Sequence, residues 1–177
     1  SFTYDAESPR VTDNTIYDLA SITKSIPVAL LTLLFIERGK LSLDDRVIKY
    51  IPEIHIENAE KGLIRHLLTY TYALKKNTDP NFSYENSSAK DVLDFHFRRE
   101  FEFLPGTQYQ YGNAPANLLG IILERISGER LDVLAEKMIS LPLGMKHSTF
   151  HPRDKHQVPP TEIVSWRGTI QGIVHDE

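Results

Sequence analysis

The chain has 177 residues, of which 41% are hydrophobic and 25% are charged, and its formal net charge is −4. This composition fits one globular domain or a large part of one, and its slightly acidic balance argues against nucleic acid as a partner. The sequence contains no cysteine, which excludes disulfides and cysteine metal sites but leaves the redox compartment open.

The first predicted elements are a short strand and a long helix. Residues 1–4 predict a strand followed by a loop, and residues 22–38 predict a helix that ends at Gly39 and kinks slightly at Pro27. The apolar run 27–36 within this helix is too short to span a membrane. The side chains that fit a buried face of the helix are Ile26, Ala29, Leu30, Leu33, Leu34 and Ile36.

Further helices are predicted along the rest of the chain. They are a short one capped by Asp44 and closed by Pro52, one containing Leu63, Ile64, Leu67 and Leu68, one capped by Ser88 and ending near Phe97, one from Ala114 to Ile126 stopped by Gly128, and one from Leu131 to Ile139. The polar segment 75–88 predicts a surface loop, and residues 169–174 predict a second strand. A mainly α chain with few short strands is therefore expected.

The first candidate site is the stretch LASITKS, which contains Ser21 and Lys24 at the start of the helix 22–38. A helix N-terminus carries unpaired N–H groups and partial positive charge, which stabilise an alkoxide or an oxyanion. Since positions i and i+3 share a helix face, the Lys24 amine can reach the Ser21 hydroxyl. A neutral Lys24 would act as the base that a serine nucleophile needs, and a charged one would stabilise its oxygen. By itself, this spacing is more often a helix cap beside a solvated lysine.

A second candidate pair, Tyr111 and Asn113, lies in QYGNA just before the predicted helix 114–126. A phenol can exchange a proton with a serine or a leaving group, and an amide can hold both a substrate carbonyl and a lysine side chain. The alternative interpretation is that Tyr111 is one of eight tyrosines partly in the core and that Asn113 is a turn residue.

Other chemistries find less support in the sequence. Seven histidines are present, but no G-x-S-x-G elbow accompanies them, which disfavours a Ser-His-Asp triad. The cluster of His147, His151 and His156 has the composition of a loop, so solvated histidines are a better interpretation than a zinc site. Trp166 and the aromatic residues in 95–103 are interpreted as core. Neither a metal nor a cofactor is expected.

Together, these motifs resemble the serine β-lactamase and penicillin-binding-protein-like family, in particular its class C β-lactamase, D-alanyl-D-alanine carboxypeptidase and esterase branch. The resemblance is carried by YDLASITKS, LLFIERGKLSLDDRVIKYIPE, IRHLLTYTYAL, FLPGTQYQYGNAPANLLGIILERISG and LPLGMKHSTF, which cover most of residues 15–150 in the family's order, and by the tail VHDE. It implies the helical region of an α+β β-lactamase/transpeptidase-like fold. Residues 1–177 would form a single partial domain whose antiparallel sheet is mostly missing.

The resemblance also implies a serine hydrolase that acts through an acyl-enzyme, without a metal, on β-lactams, D-Ala-D-Ala peptides or esters. Ser21 would be the acylated nucleophile, Lys24 would share its proton and orient it, and Tyr111 would be the general base and acid. Asn113 would contact the substrate, a small molecule or a peptidoglycan peptide. The family's usual setting favours the bacterial cell envelope or secretion, and a cytoplasmic esterase stays open.

Two features depart from the family's pattern. Tyr70 to Ala73 stand where the family commonly has His-Thr-Ser-Gly. No residues after Asn113 match the family's third motif, Lys or His followed by Thr or Ser and Gly, whose strand supplies one oxyanion-hole N–H; losing one such donor costs about 10²–10³ in rate. The sequence therefore predicts a fragment that self-associates or pairs with missing segments. The alternative to an active serine hydrolase is a catalytically inactive fragment or a non-catalytic binding relative.

Overall fold

The computed structural model describes residues 1–76, 82, 87–152, 157–165 and 168–173. The α-helices are Leu30–Glu37 (α1), Ile64–Leu68 (α2), Ala89–Arg98 (α3), Ala114–Ser127 (α4) and Leu131–Ala135 (α5). Shorter helical turns are the 3₁₀ segments Val47–Lys49 and Ala59–Lys61 and the π-helical segments Lys24–Ala29 and Glu136–Ser140. The strands Glu162–Val164 (β1) and Gly168–Ile170 (β2) pair antiparallel, with Ile163 opposite Thr169. The predicted mainly α chain is confirmed.

The helix predicted over 22–38 is broken in its second turn. Ile26 has extended backbone angles, with φ at −127° and ψ at 107°. It precedes Pro27, whose ring disfavours helical angles in the residue before it and whose nitrogen has no proton to donate. The chain then continues into α1 and ends its helical course before Gly39, whose φ is +66°. The predicted kink at Pro27 is thus confirmed, and it is a full interruption.

The buried face of this helical segment differs from the predicted one. The side chains that reach the core are Val28, Leu31, Thr32 and Phe35, each at most 4% exposed. Ile26 and Leu33, which were predicted to be buried, are 48% and 53% exposed. The prediction was wrong for these two residues because the helix packs one face against α4 and no other described element covers its opposite face.

The core lies where α4 packs against α2 and against the segment that leads into α1. Its most buried aliphatic side chains are Leu31, Val47, Ile51, Ile64, Leu67, Leu118, Ile122 and Leu123. Burying a side chain of this size stabilises the fold by about 1.5–3 kcal/mol. The Arg125 guanidinium of α4 donates two hydrogen bonds to the Glu53 carboxylate, at 2.8 and 2.7 Å. This bidentate ion pair connects the helix to the loop after the first 3₁₀ turn.

An irregular antiparallel ladder joins the chain after α2 to the chain before α4. Its backbone hydrogen bonds run from Lys75 N–H to Glu100 O, Glu102 N–H to Ala73 O, Gly106 N–H to Thr71 O and Gln110 N–H to Tyr70 O, with lengths of 2.9–3.0 Å. Leu74 and Phe101 form an isolated bridge in the same ladder. The ladder brings residues 109–113 back over the end of α2 and delivers them to the start of α4.

Capping residues in the sequence predicted several helix boundaries correctly. Ser88 caps α3: its hydroxyl accepts a hydrogen bond from Asp91 N–H at 3.2 Å, and its own N–H donates to the Asp91 carboxylate at 2.9 Å. Gly128 ends α4 with φ at +72°, as predicted. The helix predicted over 131–139 consists of α5 and the π-helical turn that follows it.

Other predicted boundaries were wrong. Asp44 does not cap the following helical turn, which begins after Arg46; Asp44 instead forms an ion pair with Arg65. Residues 1–4 form no strand, because Phe2 N–H bonds to Pro9 O at 2.8 Å within a local loop. Of the predicted strand 169–174, the part within β2 ends at Ile170. None of the helices in the described ranges is long and apolar enough to cross a membrane.

Candidate active site

Ser21 lies in the turn that starts the first helical segment. Consecutive backbone hydrogen bonds close this turn over 19–24, the last from Lys24 N–H to Ser21 O at 3.0 Å. The Lys24 side chain curls back along the same face, and Nζ donates a hydrogen bond to Ser21 Oγ at 2.6 Å. Ser21 is exposed and Lys24 is half-buried. The structure therefore brings the first predicted pair into direct contact.

The backbone just before Ser21 adopts an uncommon conformation. Ala20 has φ at +45°, in the left-handed region where Cβ crowds the following carbonyl. The carboxylate of Asp18 accepts a hydrogen bond from Ala20 N–H at 2.7 Å, which is the pattern of an Asx turn. Asp18 thus helps to fix the approach of the chain to Ser21. Sequence reasoning missed it, although an Asp two residues before a small residue at a helix start was an available signal.

Tyr111 approaches Lys24 from a distant part of the chain. The Lys24 amine lies 5.4 Å from the centroid of the Tyr111 ring, within the range of a cation–π contact. The Tyr111 side chain is 54% exposed, so it is open to a ligand as well. The amine of Lys24 therefore contacts the Ser21 hydroxyl and the Tyr111 ring together.

Asn113 occupies the N-cap position of α4, two residues after Tyr111. Its carbonyl accepts a hydrogen bond from Asn117 N–H at 3.0 Å, and its side chain makes no capping hydrogen bond. The residue is half-buried. It lies on the segment that carries Tyr111, and its contact with substrate stays a prediction.

Tyr70 forms a contact that the sequence did not reveal. Its ring stacks on Tyr111, with centroids 5.3 Å apart and planes at 25°, and meets Tyr109 edge-on at 6.2 Å. Burial raises the pKa of the Tyr70 phenol, and the neighbouring phenols of Tyr111 and Tyr109 raise it further. Three tyrosine rings therefore form a connected group beside Lys24.

The histidine cluster does not assemble a metal site among the residues that the structure describes, where no group of three or more His, Asp or Glu side chains converges. His147 is exposed, and His151 Nε2 lies 3.0 Å from the Asp132 carboxylate. Arg130 and, to a smaller degree, His151 hold the pKa of Asp132 at about 2. His156, Trp166 and the tail 174–177 lie outside the described residues.

The fold defines the class of protein first. A class C β-lactamase superposes with a TM-score of 0.75 at 22% identity, over 94% of this chain and 45% of its own. EstCE1, a hydrolase with promiscuous acyltransferase activity, superposes with a TM-score of 0.72 at 22% identity, over 91% of this chain and 46% of its own. At these identities the likeness shows the fold alone, which is that of the β-lactamases.

The sequence profile of the Beta-lactamase family matches residues 2–172, and the chain belongs to this family of serine β-lactamase and penicillin-binding-protein-like proteins. The resemblance drawn from the motifs is thereby confirmed. A Salmonella paratyphi A protein named "Putative D-alanyl-D-alanine carboxypeptidase" is 31% identical over 183 residues, which cover 94% of this chain and 41% of that relative. The chain thus spans less than half the length of this curated relative.

Proposed function

We propose that this chain belongs to a serine hydrolase that forms an acyl-enzyme on Ser21. The observation that carries the proposal is the hydrogen bond of 2.6 Å from Lys24 Nζ to Ser21 Oγ at the start of a helical segment. A serine is a weak nucleophile unless a base or a positive field activates it, and this contact supplies one or the other. Residues 1–177 would be the helical part of a single β-lactamase-like domain.

The proposed reaction runs in two steps. Ser21 Oγ attacks the substrate carbonyl and forms an ester, while its proton passes to Lys24 and on to the departing nitrogen or oxygen through the Tyr111 phenol. A water molecule then attacks the ester with Tyr111 as general base, which releases the acid and restores the Ser21 hydroxyl. Asn113 would hold the substrate from the start of α4.

Three substrate classes stay within the proposal: β-lactams, D-Ala-D-Ala peptides and esters. Each contains a carbonyl that the Ser21 hydroxyl can attack, with cleavage of the C–N bond of a β-lactam or peptide or the C–O bond of an ester. The class C β-lactamase and the relative named for D-alanyl-D-alanine carboxypeptidase activity support the first two classes. EstCE1, a hydrolase with promiscuous acyltransferase activity, supports a wider range of acyl substrates. The second candidate is a catalytically inactive fragment or a non-catalytic binding relative of the same family, and either differs from the first in forming no covalent adduct.

Covalent labelling separates the two candidates. The protein is incubated with a fluorescent penicillin or a fluorophosphonate, and the adduct is located by intact mass and peptide mapping. We expect label on Ser21 and none in Ser21→Ala, whereas Ser25→Ala, at an exposed serine one helical turn further on, should label normally. Equal labelling of Ser21→Ala and wild type would place the nucleophile elsewhere. No labelling of residues 1–177 would favour the second candidate, and labelling of a chain extended at both ends would then distinguish an inactive fragment from a binding relative.

A further inference from the structure

Tyr70 contacts the Tyr111 segment through both its main chain and its ring. Its carbonyl accepts the last hydrogen bond of the ladder, from Gln110 N–H at 2.9 Å. Its ring stacks on the ring of Tyr111 at 5.3 Å. Tyr70 therefore both bonds the backbone next to Tyr111 and stacks on the Tyr111 ring.

The backbone of Tyr70 turns the chain from α2 into the ladder. Its φ is +55°, an uncommon value for a residue with a large side chain. The carbonyl of His66, one turn earlier, accepts hydrogen bonds from both Thr71 N–H and Tyr72 N–H, at 2.9 and 3.1 Å. These bonds hold the turn in place and set the direction in which the Tyr70 ring leaves the backbone.

The Tyr111 ring lies at the surface of the molecule, where a stacked neighbour can restrict its rotation. It is 54% exposed and lies on an irregular segment that ends at the N-cap of α4. A ring in this setting rotates readily about its side-chain torsions unless a neighbour restricts it. Tyr70, whose own ring is half-buried, provides a flat surface at stacking distance and angle.

We infer that Tyr70 is a positioning residue, which holds the Tyr111 phenol beside Lys24 and acts on the reaction only through Tyr111. The inference rests on the proposed function and deepens it. Proton transfer requires heavy atoms within about 2.6–3.2 Å, so a ring that swings away from Lys24 loses its catalytic contribution. The Tyr70 hydroxyl itself takes no part in the transfer.

Single variants test the ring and the hydroxyl separately. Tyr70→Phe keeps the ring and should acylate at nearly the wild-type rate with a fluorescent penicillin. Tyr70→Asn accepts the positive φ but lacks the ring, and it should acylate about 10²-fold more slowly, the typical cost of a misplaced catalytic group. Tyr109→Asn, which removes only the edge-on neighbour, is the matched control and should stay near wild type. If Tyr70→Asn does not fold, Tyr70→Gly carries the same test.

A double-mutant cycle distinguishes positioning from a general structural role. In a Tyr111→Phe background, Tyr70→Asn should cause no further loss of rate, because the group that it positions is already gone. An equal loss in both backgrounds, or a wild-type rate for Tyr70→Asn alone, would overturn the inference while Ser21-dependent labelling kept the proposed function intact. Labelling that persists in Ser21→Ala would instead refute the proposed function, and the inference with it.

Discussion

Lys24 is the residue on which the proposed chemistry depends, because its amine contacts both other reacting groups. Lys24→Ala and Tyr111→Phe should each lower the acylation rate by about 10²–10⁴-fold, as expected for acid–base groups. Their melting temperatures should change little, since Lys24 is only half-buried and Tyr111 is exposed. Stopped-flow measurement with a fluorescent penicillin provides the rate.

Lys40 offers a control for this prediction. Its amine also lies near an aromatic ring, 5.6 Å from the centroid of Phe35, but away from the serine. Lys40→Ala should therefore acylate at the wild-type rate. A comparable slowing in Lys40→Ala would show that the effect of Lys24→Ala is not specific to the site.

Tyr72 carries a buried polar group that lacks a hydrogen-bond partner among the described residues. The residue is fully buried, burial raises the pKa of its phenol, and its hydroxyl has no hydrogen-bond partner among the described residues. An unpaired buried polar group costs about 1–3 kcal/mol, so Tyr72→Phe should raise the free energy of unfolding by about 1 kcal/mol. Urea denaturation followed by circular dichroism measures the change.

Tyr50 is the matched comparison for Tyr72. Its hydroxyl donates to the Asp45 carboxylate at 2.6 Å, so Tyr50→Phe should destabilise the fold by about 1 kcal/mol. The two Tyr→Phe variants are thus expected to shift stability in opposite directions. A loss of stability in Tyr72→Phe would mean that its hydroxyl is satisfied in solution.

At the scale of residues, helical spacing predicted the local contact of Lys24 with Ser21, and the family resemblance predicted that distant Tyr111 belongs to the same site. The contact of Tyr70 with Tyr111 was missed. The contact of Lys24 with Ser21 follows from helical spacing alone, because positions i and i+3 share a helix face. The stacking of Tyr70 on Tyr111 depends on the ladder, whose bonds join residues 25 to 40 positions apart in the chain and have no periodic signature. Tyr70 therefore stood out only as a departure from the family's pattern.

At the scale of elements, α3 carries a histidine whose titration opposes folding in mild acid. His96 is 4% exposed, and burial, together with the charge of Arg99, lowers its pKa from 6.5 to about 4. Between these two values the unfolded chain binds a proton that the folded chain does not, so stability rises with pH. The destabilisation by His96 is absent above pH 6.5 and grows as the pH falls towards 4.

The melting temperature should therefore decrease as the pH is lowered from 6.5 towards 5.5. This range lies above the ordinary pKa values of Glu53 and Asp132, 4.5 and 3.8, at which the unfolded chain begins to bind protons that the folded chain does not. His96→Gln should reduce this dependence, because glutamine does not titrate. His66, whose pKa burial also lowers, should keep the remainder. His55→Gln, at an exposed histidine, should keep the wild-type slope. An unchanged slope in His96→Gln would assign the effect to other groups.

Helix ends were predictable where a single residue type decides them. Ser88 and Gly128 mark the start of α3 and the end of α4 because a side-chain cap and a left-handed glycine act locally. Asp44 was misjudged because its carboxylate pairs with Arg65, a contact between residues that are distant in the sequence. Leu33 was misjudged because apolar side chains surround the helix, so the pattern alone did not identify the covered face.

At the scale of the whole molecule, residues 22–33 leave an apolar surface open to solvent. Ile22, Ile26 and Leu33 are 52%, 48% and 53% exposed. The chain has 11337 Å² of accessible surface, against about 8,800 Å² for a typical folded monomer of its mass. Exposed apolar faces of this kind usually become covered by a partner surface.

Self-association of residues 1–177 is therefore predicted, and sedimentation velocity at several concentrations can measure it. Leu33→Gln should reduce association and change the free energy of unfolding by no more than about 0.5 kcal/mol, as surface substitutions do. Leu31→Ala, at a fully buried neighbour, should instead cost about 2–5 kcal/mol. Association that is unaffected by Leu33→Gln would show that this face does not mediate it.

The group of three tyrosines, one pair stacked and one pair edge-on, gives the molecule an optical property as well. Tyr70, Tyr109 and Tyr111 hold their rings at fixed mutual angles of 25° and 60°, and aromatic rings in such asymmetric surroundings generate near-ultraviolet circular dichroism. The far-ultraviolet signal comes instead from helices such as α4, which pack elsewhere in the core. The part of the near-ultraviolet band that Tyr70→Asn removes should report on the ring assembly beside Lys24. Recording both bands during denaturation of the wild type and of this variant therefore shows whether the assembly is lost before the helical core.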